Sequence, residues 1–361
     1  MDSRKSFGSD NHAGAHDLVI RALARANTGD AIPYGADPLT ERAANALRAA
    51  FGARGGVFFV FTGTAANVLG LSLMLRPYEA VICPESGHVN VDECGAIERI
   101  IGSKLLAVAT PDGKLTPALI AAKLGDRGDE HRVQPRVVAI SQVTELGTCY
   151  TLDELKVLRE FCQAEDLRLY LDGARLANAA ARLGCSLADL AAHADVLSFG
   201  GTKNGAVGAE AVVVMTEELA ADAPFLRKQQ TQLASKMRYL SAQFLGLMED
   251  ELWLRNASHA NAMAARLVDG IRDLPGIELW QPVESNAIFA RLHPAHIARL
   301  QSLWHFYEWD PSAHVVRWMT AFDTGEADVD LFVADIRRTA STSPVAHQAM
   351  DSRLPDGHCF T

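Results

Sequence analysis

The chain has 361 residues, 48% hydrophobic and 22% charged, the mix of a globular protein with material for a large core, which excludes a disordered or low-complexity chain. Thirty-four Lys and Arg stand against 44 Asp and Glu, a formal net charge of −10, so the surface repels nucleic acid and no such partner is expected. No run of about 18 apolar residues and no signal-peptide core occurs, and the six dispersed cysteines form neither a metal site nor a disulfide framework, so the expected setting is cytoplasmic, without a membrane partner.

Between residues 55 and 215 short apolar runs alternate with helical patterns, the rhythm of parallel strands joined by crossover helices. Strands are predicted over 57–61, 80–83, 104–109, 136–143, 167–171, 195–199 and 211–215. The clearest helix spans 151–166, where Thr151 and Glu154 make a capping box and Leu155, Leu158, Phe161 and Cys162 share a face. Beyond 222 the pattern predicts long helices over 225–248 and 252–274. Strands at 277–280, 287–292 and 315–322 then alternate with helices near 296–304 and 326–338. The expected organisation is a large domain with an N-terminal arm over 1–245, a smaller α+β domain over 246–340, and a disordered tail over 341–361.

Open parallel sheets bind ligands beyond the carboxyl ends of their strands, and three segments stand there. Thr62, Gly63 and Thr64 lead into an apolar helix, whose unpaired N–H groups and dipole suit a phosphate; a plain N-cap is the ordinary reading. Asp172 closes a strand and is followed by Arg175, although aspartate at a strand end commonly caps a turn. Lys203 follows a strand among small residues, where a solvated lysine is the bland reading. Together, an amine, a carboxylate and an anion clamp are the parts that pyridoxal phosphate requires. The lysine then needs a pocket that lowers its pKa from about 10.4, and Asp172 on the pyridinium is worth about 1.5–3 kcal/mol. The dinucleotide and nucleoside-triphosphate loops, the serine-hydrolase elbow and the zinc-protease motif are all missing from the sequence.

In order and combination, the segments 9–11, 33–35, 62–67, 86–90, 172–175, 198–204, 235–238 and 315–317 resemble the low-specificity L-threonine aldolases, lyases of the pyridoxal-phosphate-dependent fold type I group. The likeness runs from about Phe7 to Arg338. It implies an α/β fold whose large domain has a mostly parallel sheet, with a smaller C-terminal α+β domain. By that resemblance Lys203 would form the imine, Asp172 would bind the pyridine nitrogen, Thr62, Gly63 and Thr64 would hold the phosphate, and His88 would stack on the ring. Arg175 would lie near the cofactor and the substrate carboxylate, with Arg317 on that carboxylate. Arg238 would reach the phosphate from a neighbouring subunit, implying a homodimer or homotetramer with shared sites, and Ser9 and Tyr34 would line the substrate end. One stretch departs: Ser141, Gln142, Val143, Thr144 and Glu145 stand where many relatives carry Glu-Asn-Thr-His.

The implied reaction is retro-aldol cleavage of a small amino acid, threonine or another β-hydroxy-α-amino acid, to glycine and an aldehyde. His88, or a water it positions, is the candidate base for the hydroxyl proton, with Thr144 or Glu145 in its place as alternatives. Structural readings compete here too. His88 also reads as a helix-start residue, Arg317 as an edge residue, and Arg227, Lys228, Lys236 and Arg238 as a solvated helix face. Two other functions fit the same motifs: transamination or β-elimination with the same cofactor, and a non-catalytic small-molecule binder on the same scaffold.

Overall fold

The computed structural model describes residues 4–341; apart from Ser341, the tail expected over 341–361 lies outside the described residues. Among the described residues, seven strands form one sheet: β1 (Gly56–Val60), β2 (Glu79–Pro84), β3 (Lys104–Val108), β4 (Gln134–Ser141), β5 (Arg168–Asp172), β6 (Val196–Gly200) and β7 (Glu210–Val214). Their order is β1-β7-β6-β5-β4-β2-β3. β2 to β6 pair in parallel, whereas β7 runs antiparallel to both β1 and β6. The mostly parallel sheet expected from the sequence is therefore present, with one strand reversed.

Every residue of β6 and β7 is buried, as a sheet covered on both faces demands. One face packs against Phe51, Phe244 and Trp253. The other takes the helix Gly63–Ser72, whose Ala66 and Leu69 meet Val81, Tyr170 and Val212. A Cβ on Gly70 of this helix would fall 2.4 Å from the Tyr170 ring, so only glycine allows the helix to sit so close to the sheet. The helix Leu152–Ala164 starts at the expected capping box: Thr151 Oγ1 accepts from the Glu154 N–H and Glu154 Oε2 from the Thr151 N–H.

A smaller antiparallel sheet contains β8 (Ile277–Leu279), β9 (Ala287–Leu292), β10 (Tyr307–Asp310) and β11 (Val315–Met319), in the order β10-β11-β9-β8. Phe7 joins its core, stacked on Phe332 at 4.4 Å beside Trp304 and Trp318. The Phe7 N–H donates to His305 O and its carbonyl accepts from the Met319 N–H, which anchors the N-terminal segment beside the small sheet. No described helix is long and apolar enough to cross a membrane.

The structure differs from the sequence expectation in three places. The helix expected over 225–248 is two, Ala223–Gln229 and Arg238–Met248, because Thr231 adopts a left-handed backbone and the residues between bond elsewhere: Gln232 Oε1 accepts from Phe61 N–H and Ser235 O from Tyr34 N–H. β10 lacks an apolar run and carries a register irregularity, so it left no strand pattern. Two amphipathic helices near the N-terminus, Asp17–Ala26 and Pro38–Phe51, also went unread; the second begins with Asp37 accepting from the Thr40 N–H ahead of a proline at the first turn, an ordinary start signal.

Candidate active site

The carboxyl ends of β1, β4, β5 and β6 open onto one cavity of about 320 Å³, where the crossover topology leaves a crevice. β7 runs the other way, so its first residue, Glu210, reaches the same edge. Lys203, Asp172, His88, Arg175, Thr62, Gly63 and Thr64 all line this cavity.

Lys203 lies in the short turn Thr202–Asn204 after β6 and has no hydrogen-bond or ion-pair partner among the described residues. Burial lowers its pKa below the ordinary lysine value, and repulsion from Arg175 adds to this, although Asp10, Asp172 and Glu210 oppose it. Asp172, the last residue of β5, is buried; Oδ1 accepts from the Ala174 N–H at 2.9 Å and Oδ2 from Asn67 Nδ2 at 2.9 Å. Thr62 is the N-cap of the helix Gly63–Ser72, its Oγ1 accepting from the Ala65 N–H at 3.1 Å. That bond leaves the N–H groups of Gly63 and Thr64 without a partner among the described residues, and a Cβ on Gly63 would meet nothing within 4 Å.

His88 opens a single helical turn after β2. Its backbone N–H donates to Glu145 Oε1 at 2.9 Å, and its Nδ1 lies 2.8 Å from Glu93 Oε1. Burial alone would lower the imidazole pKa, but the Glu93 hydrogen bond and the Asp172 charge outweigh it and raise the value above 6.5. In the departing stretch, Glu145 lines the cavity and bonds Ser141 Oγ at 2.6 Å, its pKa raised by burial. Thr144 turns away and meets Thr148 Oγ1 at 2.7 Å.

Arg175 is locked to Asp10, Nε to Oδ2 at 2.7 Å and Nη2 to Oδ1 at 2.9 Å. Burial would raise the Asp10 pKa, but Arg175 outweighs it and holds the carboxyl at about 2. Glu210 accepts from Thr202 Oγ1 at 2.6 Å and from the Gly201 N–H at 3.1 Å, yet burial pushes its pKa up to about 7.

A family model described as Beta-eliminating lyase matches residues 6–294. The low specificity L-threonine aldolase of a Pseudomonas species is 46% identical over 344 residues, 94% of this chain and 99% of the relative. The chain belongs to the low-specificity L-threonine aldolase family, within the beta-eliminating lyases. A Pseudomonas aeruginosa relative of the same name is 44% identical, covering 93% of this chain and 98% of its own length. A solved threonine aldolase from Leishmania major matches with a TM-score of 0.89 at 36% identity, covering 93% of this chain and 99% of that one.

The remaining residues that the threonine-aldolase motifs singled out lie away from the cavity wall. Arg317 is half-buried over Trp309 at 5.2 Å, Nη2 donates to Gly8 O at 3.3 Å, and burial and Arg175 push its pKa down to about 10. Ser9 is buried and accepts from the Asn11 N–H. Tyr34 is 50% exposed, beneath Lys228. Arg238 donates to Gly29 O at 2.9 Å. Sequence reasoning missed Glu210, Glu93 and the bonding of Asn67. Glu210 had left a signal, a lone carboxylate leading the apolar run from Ala211 to Met215.

Proposed function

We propose that the protein is a pyridoxal-phosphate-dependent lyase that cleaves L-threonine and related β-hydroxy-α-amino acids to glycine and an aldehyde. The observation that carries this reading is that Lys203, Asp172 and the Thr62–Gly63–Thr64 helix start line a single cavity. These residues fit the cofactor by their own chemistry: an unpartnered amine, a carboxylate, and unspent N–H groups at a helix start with open space over Gly63. Lys203 would hold the cofactor's aldehyde carbon, Asp172 its ring nitrogen, His88 its ring face and the helix start its phosphate. When bound, pyridoxal phosphate supplies the electron sink for breaking the Cα–Cβ bond.

The side chains of the chain itself supply binding, orientation and proton transfer. Burial favours the neutral Lys203 amine, the form that reacts. Arg317 has no carboxylate partner among the described residues, and its buried Nε is unbonded; with Arg175 it would take the substrate carboxylate and so fix which Cα bond is presented. His88, with a pKa raised above 6.5, is matched to accepting the hydroxyl proton near neutral pH. Arg238, bonded outside its own cavity, would serve the phosphate of a neighbouring copy in a homodimer or homotetramer.

The test is to mix the protein, loaded with pyridoxal phosphate, with L-threonine and identify the products. Glycine and acetaldehyde in equal amounts are expected, and Lys203→Ala should lose both cleavage and the visible absorption band. 2-Oxobutanoate and ammonia without glycine would assign the site to β-elimination instead.

A further inference from the structure

Behind His88 the side chains form a continuous chain of hydrogen bonds. The Glu93 side chain is fully buried, and its Oε1 meets both His88 Nδ1 at 2.8 Å and Asn67 Nδ2 at 2.6 Å. The other hydrogen of Asn67 Nδ2 goes to Asp172 Oδ2 at 2.9 Å, while Asn67 Oδ1 accepts from Tyr170 OH at 2.9 Å. Ionised carboxylates only accept, so the amide must turn its NH₂ toward Glu93 and Asp172. By the same logic Nδ1 of His88 carries the proton, which leaves Nε2 as the acceptor of the neutral ring. Glu93 Oε2 is buried with no hydrogen-bond partner, so the imidazole and Asn67 are what stabilise this carboxylate.

We propose that Glu93 is a positioning residue for the cleavage reaction: it fixes the His88 tautomer with Nε2 free for the substrate hydroxyl, and Asn67 braces it against Asp172. This rests on the reading of His88 as the base. In the step it serves, the hydroxyl O–H bond breaks and its proton moves to Nε2, the freed oxygen pair forms the aldehyde C=O as the Cα–Cβ bond breaks with its pair left on Cα, and the resulting imidazolium lies against the Glu93 charge. The charged groups around His88 are Glu93 beyond its own helical turn, Asp172 at the end of β5, Lys203 after β6, and Glu145 after β4. Glu93 and Asp172 favour the imidazolium, Lys203 opposes it, and Glu145 is bonded to the backbone N–H.

Glu93→Gln keeps an acceptor toward Nδ1 but removes the charge. In the cofactor-loaded enzyme it should lower kcat by about tenfold or more, since a general base contributes about 10²–10⁴-fold, with KM and the visible band nearly unchanged. Because the Glu93 hydrogen bond raises the His88 pKa, the acidic limb of kcat/KM should move to lower pH. Unchanged kcat with an unmoved limb would overturn the proposal. If the variant fails to fold, nitrogen NMR of histidine-labelled wild-type enzyme decides: protonated Nδ1 with bare Nε2 supports the assignment, and the reverse tautomer overturns it. Wild-type enzyme that does not cleave threonine would instead sink the functional reading on which the proposal stands.

Discussion

Glu210 occupies the first position of β7, followed by four buried apolar residues of the same strand. Its folded pKa of about 7 against an ordinary 4.5 means that the folded protein holds a proton that the unfolded chain releases between those values. The associated stability is full below 4.5 and is lost as pH rises through 7, at most roughly 3 kcal/mol across that window. Glu210→Gln, which has no proton to lose, should flatten the dependence of Tm on pH between 5 and 8; an identical slope in both proteins would show that the carboxyl is already ionised when folded. The five other positions around it illustrate what the sequence can and cannot disclose. Asp172 ends a strand and Lys203, Thr62, His88 and Arg175 each follow one, and strand ends are readable from apolar runs. Glu93, Asn67 and Asp10 act on partners 5, 105 and 165 residues away, and no periodicity records such pairings. The substrate-end roles of Ser9 and Tyr34 came from resemblance alone, and neither side chain lines the cavity wall.

At the scale of elements, the helix Gly63–Ser72 does two things at once. Its start faces the cavity and its body lies on the sheet, so its seating sets the height of the Gly63 and Thr64 N–H groups. Gly70 governs that seating. Alanine in a helix interior ordinarily gains about 1 kcal/mol over glycine, but here the new Cβ would meet Tyr170 Cε2 at 2.4 Å and Tyr170 OH at 3.2 Å. Overpacking costs about 1–3 kcal/mol, and moving Tyr170 also loosens Asn67. Gly70→Ala should therefore lower stability in urea unfolding and weaken cofactor retention together; a more stable variant would mean that the ring has room to shift. The strands and the capping-box helix were legible because burial on both faces leaves continuous apolar runs and because the cap is local chemistry. The break at 230–237 was not, since it depends on a left-handed residue and on acceptors that pair with Phe61 and Tyr34.

At the scale of the whole molecule, the N-terminal segment and the two sheets meet at Asp10. Its carboxylate comes from the turn Asp10–His12, Arg175 follows β5 of the large sheet, and Asn286 precedes β9 of the small one. Both oxygens of Asp10 bond Arg175, and Asn286 Nδ2 donates to Asp10 Oδ2 at 3.1 Å and to Thr320 O at 2.8 Å. The Asp10 side chain is 1% exposed and that of Arg175 15%, so neither charge is tolerable alone. Breaking a buried pair by deleting one partner costs about 3–5 kcal/mol. Asp10→Asn should therefore lose about 3 kcal/mol in urea unfolding near neutral pH. Because the folded pKa of Asp10 is about 2 against an ordinary 3.8, the pair stabilises fully above 3.8 and fades as pH falls toward 2, so wild type and variant should converge there. The same substitution frees the Arg175 guanidinium to swing within the cavity it lines, raising the KM for threonine more than it lowers kcat. Equal unfolding midpoints at pH 7, together with an unchanged KM, would show that the two sheets are held together by their apolar contacts and that this junction aims nothing.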